Sequence, residues 1–530
     1  MVSTEPTDPM AHDLIIAMDA GTSVIKALVF DLKGRQLADA ARPNSYTTGS
    51  GGAVEQDMAR TWTDSVAVLS ELTTKVEGLK SRAAALAITG QGDGTWLMDK
   101  DGAPAAPAWL WLDSRSAGIV HEMDEKGVRR KMYQRTGCGL NACNQSSQIA
   151  WMKRYAPEVL ARSATAQHCK DWLYFGLTGE RVTDVTEGVF TFGDFRSRDY
   201  VPEILDWMGI ADQQHLLPEM VDGTRTTHPL STSAAKATGL PEGLPVSLGS
   251  VDVACTALGA GLYAPGQSVG ASIVGSTSMH MRLEPKAANL ALAPEPSGYT
   301  MAFPVPDAVS RMQSNMAATL NIDWIVDLAR DAARTLGHEV SRKDALLALD
   351  SRVLDAKPGV EIYHPYIHEA GERGPFFNAD ARAQFIGLSQ KTSFIDMVRT
   401  VYDGLVLAAR DCYAAIGGAP SEIRVAGGAA RSKALKLLLA SGLGVPVRES
   451  TREEAGAAGT AMMAAVAIGA EPDMAQAVET WVTPCLGGVV EPDAALKSRY
   501  DELFPIYVKT RQVMPEIWAD LTRARSKAKE

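Results

Sequence analysis

LIIAMDAGTSVIKALVFD, residues 14–31, spells two apolar strands joined by a polar turn. Leu14–Met18 and Val24–Phe30 carry the apolar residues, and Asp19-Ala20-Gly21-Thr22-Ser23 between them is turn chemistry. Glycine lets a backbone approach a phosphate closely, and the N–H and hydroxyl groups beside it can bond phosphate oxygens. An aspartate closing the first strand suits Mg²⁺, held directly or through water. An ordinary β-turn is the competing reading. Lys26 stands two positions past Val24 and faces either a phosphate or a surface carboxylate.

Working outward, a comparable hairpin recurs at mid-chain. Gln267–Val274 and Met279–Leu283 read as strands around Gly275-Ser276-Thr277-Ser278. One such turn means little, but a pair, one opening each half, suggests duplicated halves whose loops grip a phosphate tail from two sides. A turn at Ala264-Pro265-Gly266 divides the chain into residues 1–264 and 265–530. In the first half a helix follows over Asp57–Leu72, then a buried strand Ala83–Thr89 running into Gly90-Gln91-Gly92-Asp93-Gly94. In the second, a helix over Ser393–Ile416 precedes a strand Glu422–Ala426 and the turn Gly427-Gly428-Ala429. A helix from Arg431 to Ser441, a strand Val445–Val447 and a helix opening near Glu453 come next. The end of the chain, from Pro472, reads as helical and packs back on the second half.

Composition excludes several classes. The 530 residues, 46% hydrophobic, are enough for more than one core. A net charge of -11 without a long basic run argues against nucleic acid or an anionic membrane as partner. Gly456 to Ala470 is the most apolar stretch, too short to span a bilayer, and reads as a buried helix. The N-terminus MVSTEPTDPMAHD lacks the pattern of a signal peptide. Six scattered cysteines without a CxxC pair or zinc spacing read as free thiols in a reducing cytoplasm. His364 and His368 have no third ligand and read as structural.

Three further stretches carry chemistry. In GSVDVACTALGAG, residues 249–261, Asp252 is the only charged residue. It suits a helix N-cap, or a carboxylate facing a substrate hydroxyl as general base, and the two roles are compatible. Gln91, Asp93 and Trp111 supply amide, carboxylate and indole groups of the kind that bind polyols. Trp109 reads as core, and Asp113 with Arg115 as a structural ion pair. Gly427 to Ser432 lies between strand and helix, where nucleotide loops occur. The chain has neither a GxxxxGK[ST] loop nor the HRD and DFG elements of protein kinases.

In order, DAGTSVIKALVFD (19–31), ITGQGDGTWLMDKDGAPAAPAWLWLDSRS (88–116), KDWLYFGLTGE (170–180), GSVDVACTALGAG (249–261), VGSTS (274–278), GERGPFFNADARAQFIGL (371–388) and VAGGAARSK (425–433) resemble the FGGY family of carbohydrate kinases. The resemblance spans roughly residues 14–480. It implies an α/β fold of two RNase H-like domains, as in the actin, hexokinase and Hsp70 superfamily, with ATP and substrate in the cleft. It makes Asp252 the general base and Asp19 the carboxylate near Mg²⁺. Gly21, Thr22 and Ser23 match the first phosphate loop, Gly275, Ser276 and Thr277 the second, and Gly428 and Ser432 the adenosine site. Asp93 and Trp111 match acceptor contacts of glycerol kinases, whose motif has Arg and Glu where this chain has Gly92 and Asp93. A contact tyrosine is replaced near Cys143, and a glutamine after the base is Val253. These departures argue against glycerol. Around GQGDGTWL and the preceding N-terminal third the chain resembles family members that phosphorylate erythritol, which implies erythritol as the acceptor. Gln148 stands where lysine is usual and is assigned no role. The rivals are a glycerol, threitol, xylitol, xylulose or ribulose kinase, and an actin- or Hsp70-like ATP-binding protein without enzymatic function. Homodimers are common in the family.

Overall fold

The computed structural model describes residues 12–293 and 296–527. Most of the N-terminal segment MVSTEPTDPMAHD therefore lies outside the described residues.

The first half is built on a six-stranded sheet from β1 (Leu14–Ala20), β2 (Val24–Asp31), β3 (Gln36–Pro43), β4 (Ala83–Gly90), β5 (Thr227–Pro229) and β6 (Pro245–Leu248). Their order is β5-β6-β4-β1-β2-β3. The meander β1-β2-β3 is antiparallel, as hairpins must be, whereas β4 and β6 join parallel to β1 through helical crossovers. Against this sheet lie α1 (Met58–Lys75), N-capped by Asp57, and α2 (Cys169–Thr178). Among its other helices, the shorter α3 (Val185–Phe192) and α4 (Asp252–Gly259) lie near the ends of the parallel strands.

The second half repeats the plan. Its strands are β7 (Val269–Val274), β8 (Ser278–Glu284), β9 (Tyr299–Ala302), β10 (Val309–Asn315), β11 (Glu422–Ala426), β12 (Val447–Ser450) and β13 (Leu486–Val490), in the order β9-β10-β8-β7-β11-β12-β13. Again an antiparallel meander meets two parallel strands and an antiparallel edge. Its helices include α5 (Phe394–Ala415), α6 (Lys433–Leu443), α7 (Ala455–Ala467) and α8 (Ala494–Lys527). α8 packs on α5 and α6, placing the C-terminal end on the second half.

Where sequence and structure part, the cause is visible. The strand expected at Val445–Val447 lies at Val447–Ser450, and Ser432 and Glu454 stand as N-caps where their helices were expected to have begun. β3 and β13 were not expected, because an edge strand such as QLADAARP has only one buried residue.

α7 belongs to neither sheet alone. It crosses α4 and lies on β1 and β4 of the first half, so Ala457, Ala461 and Met462 share one core with Ile15, Ala17, Ala85 and Ala87. The crossing is made of backbone. A Cβ on Gly459 would stand 2.0 Å from the Cys255 carbonyl oxygen, and one on Gly259 2.0 Å from that of Ala455. All six cysteines are unpaired. Among the described residues no helix is long and apolar enough to cross a membrane.

Candidate active site

Parallel strands end on one side of a sheet, and ligands of such sheets bind beyond those ends. Here β1, β4 and β6 end together, which brings the turns 21–23, 91–94 and 249–252 side by side. In the second half β7 and β11 end together, joining the turns 275–277 and 427–431. The two sets meet through α7. Gly456, its second residue, lies against Asp19, so close that a Cβ there would be 2.8 Å from Oδ2. Ala455 before it packs with Ala426 at the end of β11, and Gly427 backs onto Val274. The left-handed φ of 89° at Gly427, and the 2.6 Å that a Cβ would leave to the Val274 carbonyl oxygen, require glycine there.

The first turn is braced from behind. Thr22 Oγ1 donates to Gln91 Oε1 at 2.9 Å and accepts from the Trp111 indole N–H at 2.8 Å. Gln91 Nε2 donates to Gln56 Oε1 at 2.8 Å. Gln91, expected at the acceptor, is buried, with its amide oxygen bonded to Thr22 and its amide nitrogen to Gln56. Trp111 is exposed on the cleft side, whereas Trp109 is buried under the Arg115 guanidinium, which pairs with Asp113 at 2.7 Å. Lys26 meets a carboxylate, Glu454, at 2.7 Å.

Asp252 is not the N-cap of α4. Val251 holds that position, and Asp252 is the first helical residue, half-buried, its Oδ1 accepting from the Val253 N–H at 2.6 Å. Asp93 has a left-handed φ of 55° and accepts from Asn144 Nδ2 at 2.9 Å, with Cys143 Sγ 3.6 Å away. Such backbone strain in a residue with a side chain is a mark of a constrained site. Tyr299 and Arg373 come to this pocket from the second half, close enough for Asp93 to act on the Tyr299 phenol and Arg373 on the Cys143 thiol.

The carboxylates raise one another. Burial, then the neighbouring Asp19 charge, pushes Asp252 up to about 8, with Glu187 and Asp93 adding and the Val253 N–H opposing. Burial and Glu454 push Asp19 up to about 6 against Lys26. Burial pushes Glu187 up to about 7. Glu187 went unnoticed in the sequence, although Asp184-Val185-Thr186-Glu187 has capping-box spacing. Only half of that box forms: Asp184 caps α3, while the Glu187 carboxylate turns to His168, 3.6 Å away.

This has a consequence for stability. An acid whose folded pKa lies above its ordinary value keeps its proton longer in the folded state, so unfolding releases protons and stability falls as pH rises between the two values. For Asp252 the window runs from 3.8 to about 8. Asp252→Asn is expected to raise Tm above the wild-type value at pH 8–9 and to lose that advantage below pH 4, as thermal unfolding across pH will show.

In the second half, Gly275 N–H bonds to the Thr277 carbonyl at 2.9 Å, and Ser276 and Thr277 are exposed. Gly428 faces open space, since a Cβ there would meet nothing within 4 Å. Ser432, expected at the adenosine site, caps α6 and donates to Asp350 Oδ1 at 2.7 Å. His364 is buried and bonded to the Tyr507 carbonyl at 3.1 Å, and among the described residues no cluster of three His, Cys, Asp or Glu could hold a metal alone.

Two sheets of one plan thus bring a polar turn from each half to a site lined by the carboxylates of Asp19, Asp93 and Asp252. The N-terminal domain model of the FGGY family of carbohydrate kinases matches residues 14–259, and its C-terminal domain model residues 270–468. The chain belongs to the FGGY family of carbohydrate kinases, enzymes that use ATP as phosphoryl donor. It is 50% identical to the erythritol kinase of Brucella abortus over 97% of this chain and 98% of that protein. It is 31% identical to the L-xylulose/3-keto-L-gulonate kinase of Escherichia coli over 47% of this chain and 50% of that protein. Among solved structures, xylulose kinase from Rhodospirillum rubrum superposes with a TM-score of 0.85 at 26% identity, covering 96% of this chain and 100% of that one. Plasmodium falciparum glycerol kinase with ADP superposes at 0.79 and 16% identity, covering 94% and 98%, a likeness of fold.

Proposed function

We propose that this kinase phosphorylates a terminal hydroxyl of a small polyol, erythritol first among them. The single observation behind the mechanism is Asp252 at the start of α4, half-buried beside Asp19 and within electrostatic reach of Asp93, its carboxyl pushed up to about 8. A base of that strength is matched to taking a proton from an alcohol near neutral pH. In this reading residues 1–264 hold the acceptor and the first phosphate turn, and residues 265–530 the second turn and the adenosine.

Asp93 and Trp111 orient the polyol, the carboxylate accepting from its hydroxyls and the indole lying along its C–H edge. The acceptor proton passes to Asp252 as the hydroxyl oxygen bonds to the γ-phosphorus and the bond to ADP breaks. The hydroxyls of Ser23, Ser276 and Thr277 and the backbone N–H groups of Gly21, Thr22, Ser23, Ser276 and Thr277 receive the phosphoryl oxygens, with Gly275 shaping the second turn. The donor set fits a Mg²⁺ that arrives with the nucleotide: one carboxylate, Asp19, and no protein cage. Bound there, Mg²⁺ would neutralise phosphate charge, and Asp19 would hold it directly or through water. Gly428, open to the cleft, admits the adenosine.

Erythritol as acceptor is supported by the 50% identity to the Brucella erythritol kinase along both halves, and by Gly92 and Val253 where glycerol kinases differ. Six unpaired thiols suit a reducing cytoplasm. A coupled ADP-release assay over erythritol, threitol, glycerol, xylitol, ribitol, xylulose and ribulose tests the assignment. Erythritol is expected to give the highest kcat/KM; a tenfold preference for any other acceptor reassigns the substrate. ATP hydrolysis indifferent to every polyol would show that the acceptor lies outside this panel.

A further inference from the structure

The turn that presents Asp252 is pinned at each of the three residues before it. The Gly249 N–H donates to the Ile88 carbonyl at 2.8 Å, and Thr89 Oγ1 donates to the Ser250 carbonyl at 2.7 Å, both from β4. The third bond comes from outside the sheet: the Val251 N–H donates to Thr186 Oγ1 at 2.9 Å. Val251 is the N-cap, so its N–H lies outside the helix ladder, and Thr186 in the first turn of α3 gives it a partner.

Thr186 is itself held so that it can only accept there. A hydroxyl has one proton and two lone pairs. Its proton goes to Asp184 Oδ2, the cap of α3, which also takes the Thr186 N–H at 2.7 Å. Asp184 is anchored by Lys170 Nζ at 2.7 Å, and Lys170 also pairs with Asp171 at 2.6 Å. All three charges are buried among helices of the first half. Lys170 raises itself above its ordinary pKa through these carboxylates despite burial, so the anchor stays charged. A buried ion pair is weak evidence for stability, yet it fixes geometry well.

We propose that Thr186 is a positioning residue for the general base. Through it the buried Lys170–Asp184 pair sets where α4 begins, and hence where the free oxygen of Asp252 points. The inference rests on Asp252 being the base, but its test stands apart from that reading.

Thr186→Val keeps the shape and removes the hydroxyl. It is expected to lower kcat by about 10–100-fold, the scale of a small misplacement of a catalytic group, while KM for Mg-ATP stays within about twofold of wild type. Thr186→Ser, which keeps the hydroxyl, is expected to restore at least half of the wild-type kcat. Turnover within twofold of wild type in Thr186→Val overturns the proposal. So does a loss that Thr186→Ser fails to rescue, or one in which KM for Mg-ATP rises in step with the fall in kcat, since both mark a general structural role. Undiminished activity in Asp252→Asn would remove the base itself and leave the Thr186 results to be read as packing alone, so the two failures are distinct.

Discussion

Asp252→Asn should fold, bind Mg-ATP and lose about 10²–10⁴ in kcat, the usual scale of general-base catalysis. The substitution is nearly isosteric, and one side-chain oxygen can still accept from the Val253 N–H as Oδ1 does at 2.6 Å. What vanishes is a group able to take a proton. The neighbourhood argues in the same direction: Asp19, Glu187 and Asp93 raise the basicity of the Asp252 carboxylate. An amide gains nothing from them. Steady-state kinetics with erythritol, paired with nucleotide titration, separates the terms, because KM for Mg-ATP should hold while kcat falls. Near-normal turnover would remove Asp252 from the chemistry.

Gly459→Ala should destabilise the enzyme by about 3 kcal/mol, at the top of the usual range for overpacking. Two effects oppose each other. In an ordinary helix interior, alanine gains about 1 kcal/mol over glycine by propensity. At this crossing the new Cβ would sit 2.0 Å from the Cys255 carbonyl oxygen and 2.8 Å from its carbon, backbone atoms that cannot swing aside. Sterics win, and the sign of the usual glycine-to-alanine effect reverses. Gly428→Ala is the control, since its Cβ enters open space, and its stability should stay within about 0.5 kcal/mol of wild type. Urea denaturation of the three proteins decides; a Gly459→Ala variant as stable as wild type would show that α4 and α7 can part without cost.

Much of this was legible in the chain. The hairpin β1–β2 could be read because its core residues are apolar and its turn is polar; the residue types of the Asp19 turn suit a phosphate loop and an ordinary β-turn alike. The duplicated halves were faint in sequence, since topology repeats where side chains do not. What escaped reading was polarity put to unexpected use. Gln91 reads as a ligand group, and it also braces Thr22 from behind. Ser432 reads as a nucleotide contact, and it also caps α6. Lys170, Asp171 and Asp184 went unread in the sequence, and they are buried together. Pairing across distant segments decides such cases, and no local pattern encodes it.

The order of synthesis gives α7 a meaning that the finished molecule conceals. The face of the first sheet carrying Ile15, Ala17, Ala85 and Ala87 is covered by Ala457, Ala461 and Met462, which leave the ribosome long after the strands they cover. Until then the nascent N-terminal portion carries a bare apolar face, so it matures only after most of the second half has followed it. The gene cannot be cut at the boundary between its halves into two self-sufficient products, for each would lack a surface that the other provides.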